Sequence, residues 1–204
     1  MTQHAAFDLG NVILECDMSH FWQLSAEIGV NQQDMERYIR LFERSEFCGL
    51  VDIHDIIEDE FDGVESEELI NAWSAGLKPN EQMINFLLSL KHEGFKIAFL
   101  SNIGSEHLRY IRNNFPEMMS LATIQHMSCE VGVAKPSYLY YQSFLMQNDD
   151  FSGCVYLDDI KENVITGTKF KFNSIQFKLN KYKNQPPSVL KKKLDQIKDL
   201  LLRS

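Results

Sequence analysis

The sequence predicts an α/β fold: a parallel sheet covered by helices on both faces, with a small helical cap inserted after the first strand. Three observations predict it. Short apolar runs alternate with amphipathic helical stretches along the chain. Three of those runs stop on polar residues, at Asp8, Ser101 and Asp158, as strands do where a sheet opens into a ligand crevice. The gap from Met18 to about Lys78 is too long for a simple connection, yet it keeps helical spacing throughout.

Each element has its own signal. The first strand is His4 to Phe7, ending at Asp8, and the second is Lys96 to Leu100, ending at Ser101. A weaker third run lies near Leu121 to Ile124, a fourth is Cys154 to Leu157, and a fifth is Ser174 to Phe177. Helical patterns fill the gaps at Gln82 to His92, Glu106 to Asn114 and Tyr138 to Gln147. Within the long gap, Met35, Tyr38, Ile39 and Phe42 recur at helical spacing, then Ile53, Ile56, Ile57 and Phe61, then Leu69, Ile70 and Trp73. The division is therefore a Rossmann-like core from 1–17 and 79–204, and a helical cap from 18–78. After Pro186-Pro187, Ser188 is the expected N-cap of a closing helix with Leu190, Leu194, Ile197 and Leu201 on one face.

Composition narrows the function. The 204 residues, 44% hydrophobic, suffice for one domain with a small insertion. A formal net charge of −9 argues against nucleic acid as a general partner. That charge is uneven: from Lys169 onward there are ten Lys and Arg against two Asp and Glu, which reads as a basic, solvated closing helix on an acidic body. The four cysteines, Cys16, Cys48, Cys129 and Cys154, show no C-x-x-C spacing, and Cys154 reads as a small core residue. With no signal peptide or membrane span apparent, the expected compartment is a reducing cytoplasm, without a membrane partner.

Four polar clusters follow the strands in order: Asp8 in FDLGNV, Ser101 and Asn102 in LSN, Lys135 in VAKPSYLYY, and Asp158-Asp159 in VYLDDIKENV. Each alone is a turn or a helix cap. In this order the set resembles the four motifs of the haloacid dehalogenase superfamily, from Ala5 to about Phe177, and within it the sugar-phosphatase-like branch carrying DLGNV or DLGGV. The resemblance implies a magnesium-dependent phosphatase acting on a small phosphorylated substrate, with Asp8 attacking phosphorus to form an aspartyl-phosphate that water cleaves. It implies that Asp8, the carbonyl of Gly10 and Asp158 ligate Mg2+, with Asp159 holding a metal-bound water. Ser101 and the backbone N–H of Asn102 would bind phosphate. Lys135, expected just before the first position of a helix at Pro136, would reach phosphate and Asp8 as a point charge. Asn163 is expected to be structural.

One departure matters. Most phosphatases of this superfamily carry D-x-D in the first motif, and the second Asp protonates the leaving group; here that position is Gly10. General acid–base help is typically worth roughly 10²–10⁴-fold. Glu15 and Asp17 lie just downstream and are the carboxylates that could swing over the site, although solvated loop positions suit them better. Two rival readings differ in reaction class. A dehalogenase of this superfamily needs no metal, which Asp158-Asp159 argues against; phosphonate cleavage uses a cap lysine, where this cap offers Arg37, Arg40 and Arg44. A non-catalytic protein that keeps the fold is the third reading, prompted by Gly10 and the basic tail.

Overall fold

β1 (His4–Phe7) is the middle strand of a five-stranded sheet in the order β5-β4-β1-β6-β7, every neighbouring pair parallel. The computed structural model describes residues 3–30, 32–33, 36–37, 46–60 and 65–202, with the side chains of 56 and 60 left aside. The expected helical positions Met35, Tyr38, Ile39, Phe42 and Phe61 lie outside the described residues, as do Arg40 and Arg44. Among the described residues, β2 (Leu14–Cys16) and α1 (Ser19–Glu27) follow β1, then α2 (Ile53–Glu60), α3 (Ser66–Ala75), β3 (Leu77–Pro79) and α4 (Glu81–His92). β4 (Lys96–Ser101), α5 (Ser105–Asn114), α6 (Pro116–Met119), β5 (Ile124–Met127), α7 (Ser128–Val131) and α8 (Tyr138–Gln147) come next. β6 (Val155–Asp158), α9 (Lys161–Lys169), β7 (Asn173–Gln176) and α10 (Pro187–Leu201) complete the chain.

Strand alternation sorts the sheet into two apolar layers. Ala5, Phe7, Ile97 and Phe99 face one way and pack on Met83, Leu87 and Leu90 of α4, Leu108 of α5, and Leu194 and Ile197 of α10. Ala6, Ala98, Leu100 and Tyr156 face the other way, onto Tyr140, Tyr141 and Phe144 of α8. Near-continuous apolar strands are what a parallel sheet buried on both faces requires. The parallel register, Ala5 with Ile97 and Val155, brings the C-terminal ends of β1, β4 and β6 level, so Asp8, Ser101 and Asp158 share one edge.

The helical insertion leaves through β2 and returns through β3, an antiparallel pair aligning Glu15 with Lys78. Its own core joins Phe21, Val30, Ile53, Ile57, Leu69, Ile70 and Ala72. At the return, the Asp17 N–H donates to the Gly76 carbonyl at 2.9 Å, and any Cβ on Gly76 would run into the Asp17 carbonyl oxygen. Only glycine fits so close a backbone crossing.

Several element edges differ from the sequence expectation. The third strand is Ile124–Met127 rather than the run near Leu121, which is instead a buried core position. The closing helix starts at Pro187, one residue before the expected cap Ser188, because a proline at the first position has a suitable fixed φ and needs no N–H partner. Pro136 does not open a helix: the Lys135-Pro136 bond is cis, the pair lies in a turn, and α8 begins at Tyr138.

Candidate active site

Lys135 organises the site. Its ammonium is fully enclosed and donates to the Leu100 carbonyl at 2.7 Å and to Asp158 Oδ2 at 2.7 Å, and it lies 3.1 Å from Asp8 Oδ2. A buried ammonium is stable only with such compensation. Burial alone would pull its pKa down, but Asp158 and Asp8 together outweigh burial and hold it above the ordinary lysine value. The chain enters here through a clamp: Asn102 Nδ2 donates to the Lys135 carbonyl at 2.8 Å, and the Lys135 N–H returns a bond to Asn102 Oδ1 at 2.8 Å.

Three carboxylates meet at this point. One oxygen each from Asp8, Asp158 and Asp159 lie within 4.8 Å of one another. Asp158 is the most heavily engaged. Besides Lys135 it accepts from the Tyr156 hydroxyl, from Ile160 N–H at 2.8 Å, and from Asn163 Nδ2 at 3.1 and 3.2 Å. Burial pushes its carboxyl up, but Lys135 and these donors hold it below the usual value. Asp159 is less buried and accepts from Asn11 Nδ2 at 2.9 Å. Burial leads in raising its pKa, partly offset by Asn11 and reinforced by Asp158. Asp8 accepts from the Leu9 N–H at 2.7 Å. Burial pushes its carboxyl up to about 7, against the pull of Lys135 and with the added repulsion of Asp158 and Asp159.

Ser101 is buried at the end of β4, its hydroxyl 3.5 Å from the Asn102 carbonyl, a contact too long to hold it firmly. The loop behind it is fixed by Ser128, whose hydroxyl accepts from Ile103 N–H at 2.9 Å. On the opposite side, a Cβ built on Gly10 would meet Cys16 Sγ at 3.8 Å. Cys16 is exposed as a residue, yet burial of its sulfur pushes the thiol up to about 11. Glu15 and Asp17 are engaged elsewhere: Glu15 accepts from Asn80 Nδ2 at 2.7 Å, and Asp17 accepts from Ser19 and lies 3.2 Å from Lys183 Nζ.

The fold thus brings Asp8, Ser101, Asn102, Lys135, Asp158 and Asp159 to one edge, with Gly10 in the loop after Asp8. Three further residues escaped the sequence reading. Tyr156 had a signal, since it stands two positions before Asp158 on a strand and shares its face. Asn11 adopts the left-handed region at φ 54° and bridges Asp159 to the Asn180 N–H, a role that local sequence does not encode. Glu46 comes from the insertion and is buried, its carboxylate occupying the place a side chain at Gly104 would take.

No family model matches the chain. Solved structures do. A HAD family enzyme of Bacteroides thetaiotaomicron, BT-2542, in complex with magnesium and inorganic phosphate, superposes at a TM-score of 0.77 over 93% of this chain and 99% of its own, at 20% identity. A HAD phosphatase from Thermococcus onnurineus gives 0.62 over 85% of each chain at 16% identity. A dehalogenase gives 0.65 over 91% of this chain and 88% of its own at 18% identity. The architecture is an α/β fold of the Rossmann-like kind, and it is the fold of HAD family enzymes.

Proposed function

We propose that this chain is a magnesium-dependent phosphatase that hydrolyses a small phosphorylated metabolite through an aspartyl-phosphate on Asp8. The observation that carries the reading is the convergence of the Asp8, Asp158 and Asp159 carboxylates within 4.8 Å beside a buried ammonium. All three donors are hard oxygens, the type magnesium takes. The ion would neutralise charge as one anion attacks another. The phosphate and magnesium bound to the Bacteroides enzyme support the same chemistry.

The hydrogen bonding favours an exchange of roles between the adjacent aspartates. Asp158 spends its lone pairs on Lys135, Tyr156, Ile160 and Asn163. Asp159 accepts one side-chain bond and is more open. Asp159 would therefore hold the metal with Asp8 and the Gly10 carbonyl, while Asp158 orients Lys135 from behind. Sequence resemblance alone had implied the reverse.

The reaction then runs through this chain's own groups. An Asp8 carboxylate oxygen attacks phosphorus, the bond to the leaving oxygen breaks, and that oxygen departs with the electron pair. Lys135 stabilises the charge on Asp8 and on the phosphoryl oxygens. Ser101 offers its loosely held hydroxyl, and Asn102 its backbone N–H, to the phosphate. Water then hydrolyses the acyl phosphate, releasing inorganic phosphate and regenerating Asp8. The carboxylate trio favours this reading over a dehalogenase, which needs no metal.

The test is hydrolysis of p-nitrophenyl phosphate by the native chain and by Asp8→Asn, with magnesium and with EDTA. Native turnover should require magnesium, and Asp8→Asn should abolish it while circular dichroism stays native. Undiminished turnover in Asp8→Asn, or in EDTA, would refute the mechanism.

A further inference from the structure

Asn11 stands in the loop between Asp8 and β2, and its backbone takes the left-handed region at φ 54°. Asparagine enters that region more readily than most residues, and glycine enters it without a steric penalty. The turn so made sends the Asn11 N–H to the Leu14 carbonyl at 2.8 Å, and its own carbonyl accepts from the Leu179 N–H at 2.7 Å. It also directs the side chain toward the end of β6. There Nδ2 donates to Asp159 Oδ2 at 2.9 Å, and Oδ1 accepts from the Asn180 N–H at 2.9 Å.

We propose that Asn11 is a positioning residue for magnesium, which holds the Asp159 carboxylate in the orientation that lets it share an ion with Asp8. The inference rests on the magnesium-dependent reading above. The position calls for a primary amide, because one end must donate to a carboxylate while the other accepts from an N–H. Aspartate has no proton to give and would set two carboxylates against each other. Glycine would keep the backbone but leave both partners unmet. With Oδ2 of Asp159 bonded to Asn11, Oδ1 is left for a hard cation.

The two adjacent aspartates depend on such help unequally. Asp158 is held by Lys135, Tyr156, Ile160 and Asn163 together. The Asp159 carboxylate takes its side-chain bond from Asn11. The donor is itself anchored, since the Asn180 and Leu179 N–H groups tie the side chain and backbone of Asn11 to the segment after β7. An amide fixed at both ends spends little further rotamer freedom when the carboxylate it holds meets an ion. Removing a group that orients a metal-binding carboxylate, without touching the metal, typically weakens metal affinity by roughly 10–100-fold.

Asn11→Gly is the test, since it keeps the left-handed backbone and deletes the amide. Isothermal titration calorimetry of the full chain, stripped of metal, against magnesium chloride reads affinity without any turnover. The native chain should bind magnesium, and Asn11→Gly should bind it roughly 10–100-fold more weakly while its circular dichroism stays native. Lys183→Met disturbs the same segment elsewhere, by removing the exposed contact with Asp17, and should keep the native affinity within about threefold, as expected of a surface pair. In turnover of p-nitrophenyl phosphate, the Asn11→Gly defect should appear as a raised half-saturating magnesium concentration, and excess magnesium should return most of the rate. The proposal is overturned if Asn11→Gly binds magnesium as tightly as the native chain, if it loses native circular dichroism, if Lys183→Met weakens binding as much, or if excess magnesium restores nothing. A native chain that binds no magnesium would overturn the metal reading itself, and this inference with it.

Discussion

Replacing Lys135 with methionine removes an ammonium that touches both Asp8 and Asp158, and its cost can be worked from the geometry. The bonds lost are those to Leu100 and Asp158 at 2.7 Å and the 3.1 Å contact with Asp8. Breaking a buried pair by removing one partner costs about 3–5 kcal/mol, because the remaining charge stays buried. For a chain of this size that is a fall in Tm of roughly 6–20 °C, at about 2–4 °C per kcal/mol. The loss should depend on pH in one direction. Lys135 pulls the Asp8 carboxyl down, so without it the folded value, already raised from 3.8 to about 7, moves higher. Native and variant both hold this proton up to about pH 7, so the difference between them opens above it, where the native carboxyl ionises and the variant's does not, and the variant's extra loss grows as pH rises. In EDTA, thermal melts followed by circular dichroism should show a larger loss at pH 8 than at pH 5, where the Asp8 carboxyl is protonated in both chains and only the bonds to Leu100 and Asp158 are missed. An equal loss at both pH values would refute the electrostatic account, and so would a loss under about 1 kcal/mol at pH 8, well short of a broken buried pair.

Three further outcomes are expected. His107, on α5, is enclosed against Trp73 of the insertion, and burial pushes it down from 6.5 to about 4; the unfolded chain therefore gains a proton first on acidification, stability is lost as pH falls from 6.5 to 4, and His107→Phe should remove about 3 kcal/mol of that loss in urea melts. Gly76→Ala should destabilise by about 1–3 kcal/mol, since a methyl meets the Asp17 backbone; Gly104→Ala should cost less, since it meets the movable end of the Glu46 side chain. With no acid at Gly10, aryl phosphates should turn over roughly 10²-fold or more faster than alkyl phosphates, and equal rates with chemistry rate-limiting would show that another residue supplies the proton.

Most of the sheet was legible because buried parallel strands leave continuous apolar runs, and because Asp8, Ser101 and Asp158 mark where three of them end. Edges were less legible. Leu121 is apolar for packing rather than for strand pairing, and Pro187 opens α10 where a serine looked the better cap. At the site, residue types were visible but their hydrogen-bond partners were not. Which of two adjacent aspartates is spent on a lysine depends on Tyr156, Asn163 and the Ile160 N–H, and only the folded β6–α9 turn brings these together. Glu46 and His107 were invisible for a related reason: their environments are made by contacts between the insertion and the core, distant in sequence.

The charges gathered around Lys135 bear on what the site can hold. With Asp8 ionised, three carboxylates and one ammonium leave the site two charges negative, the amount that one divalent ion would offset. Two acids downstream of Gly10 are engaged away from the site: Glu15 bonds to Asn80, and Asp17 bonds to Ser19 and Lys183. What stands beside Gly10 is the thiol of Cys16, held protonated by its burial. On the proposed phosphatase reading, the site would accept an anion once it holds its metal, and its limitation would lie in protonating the group that leaves.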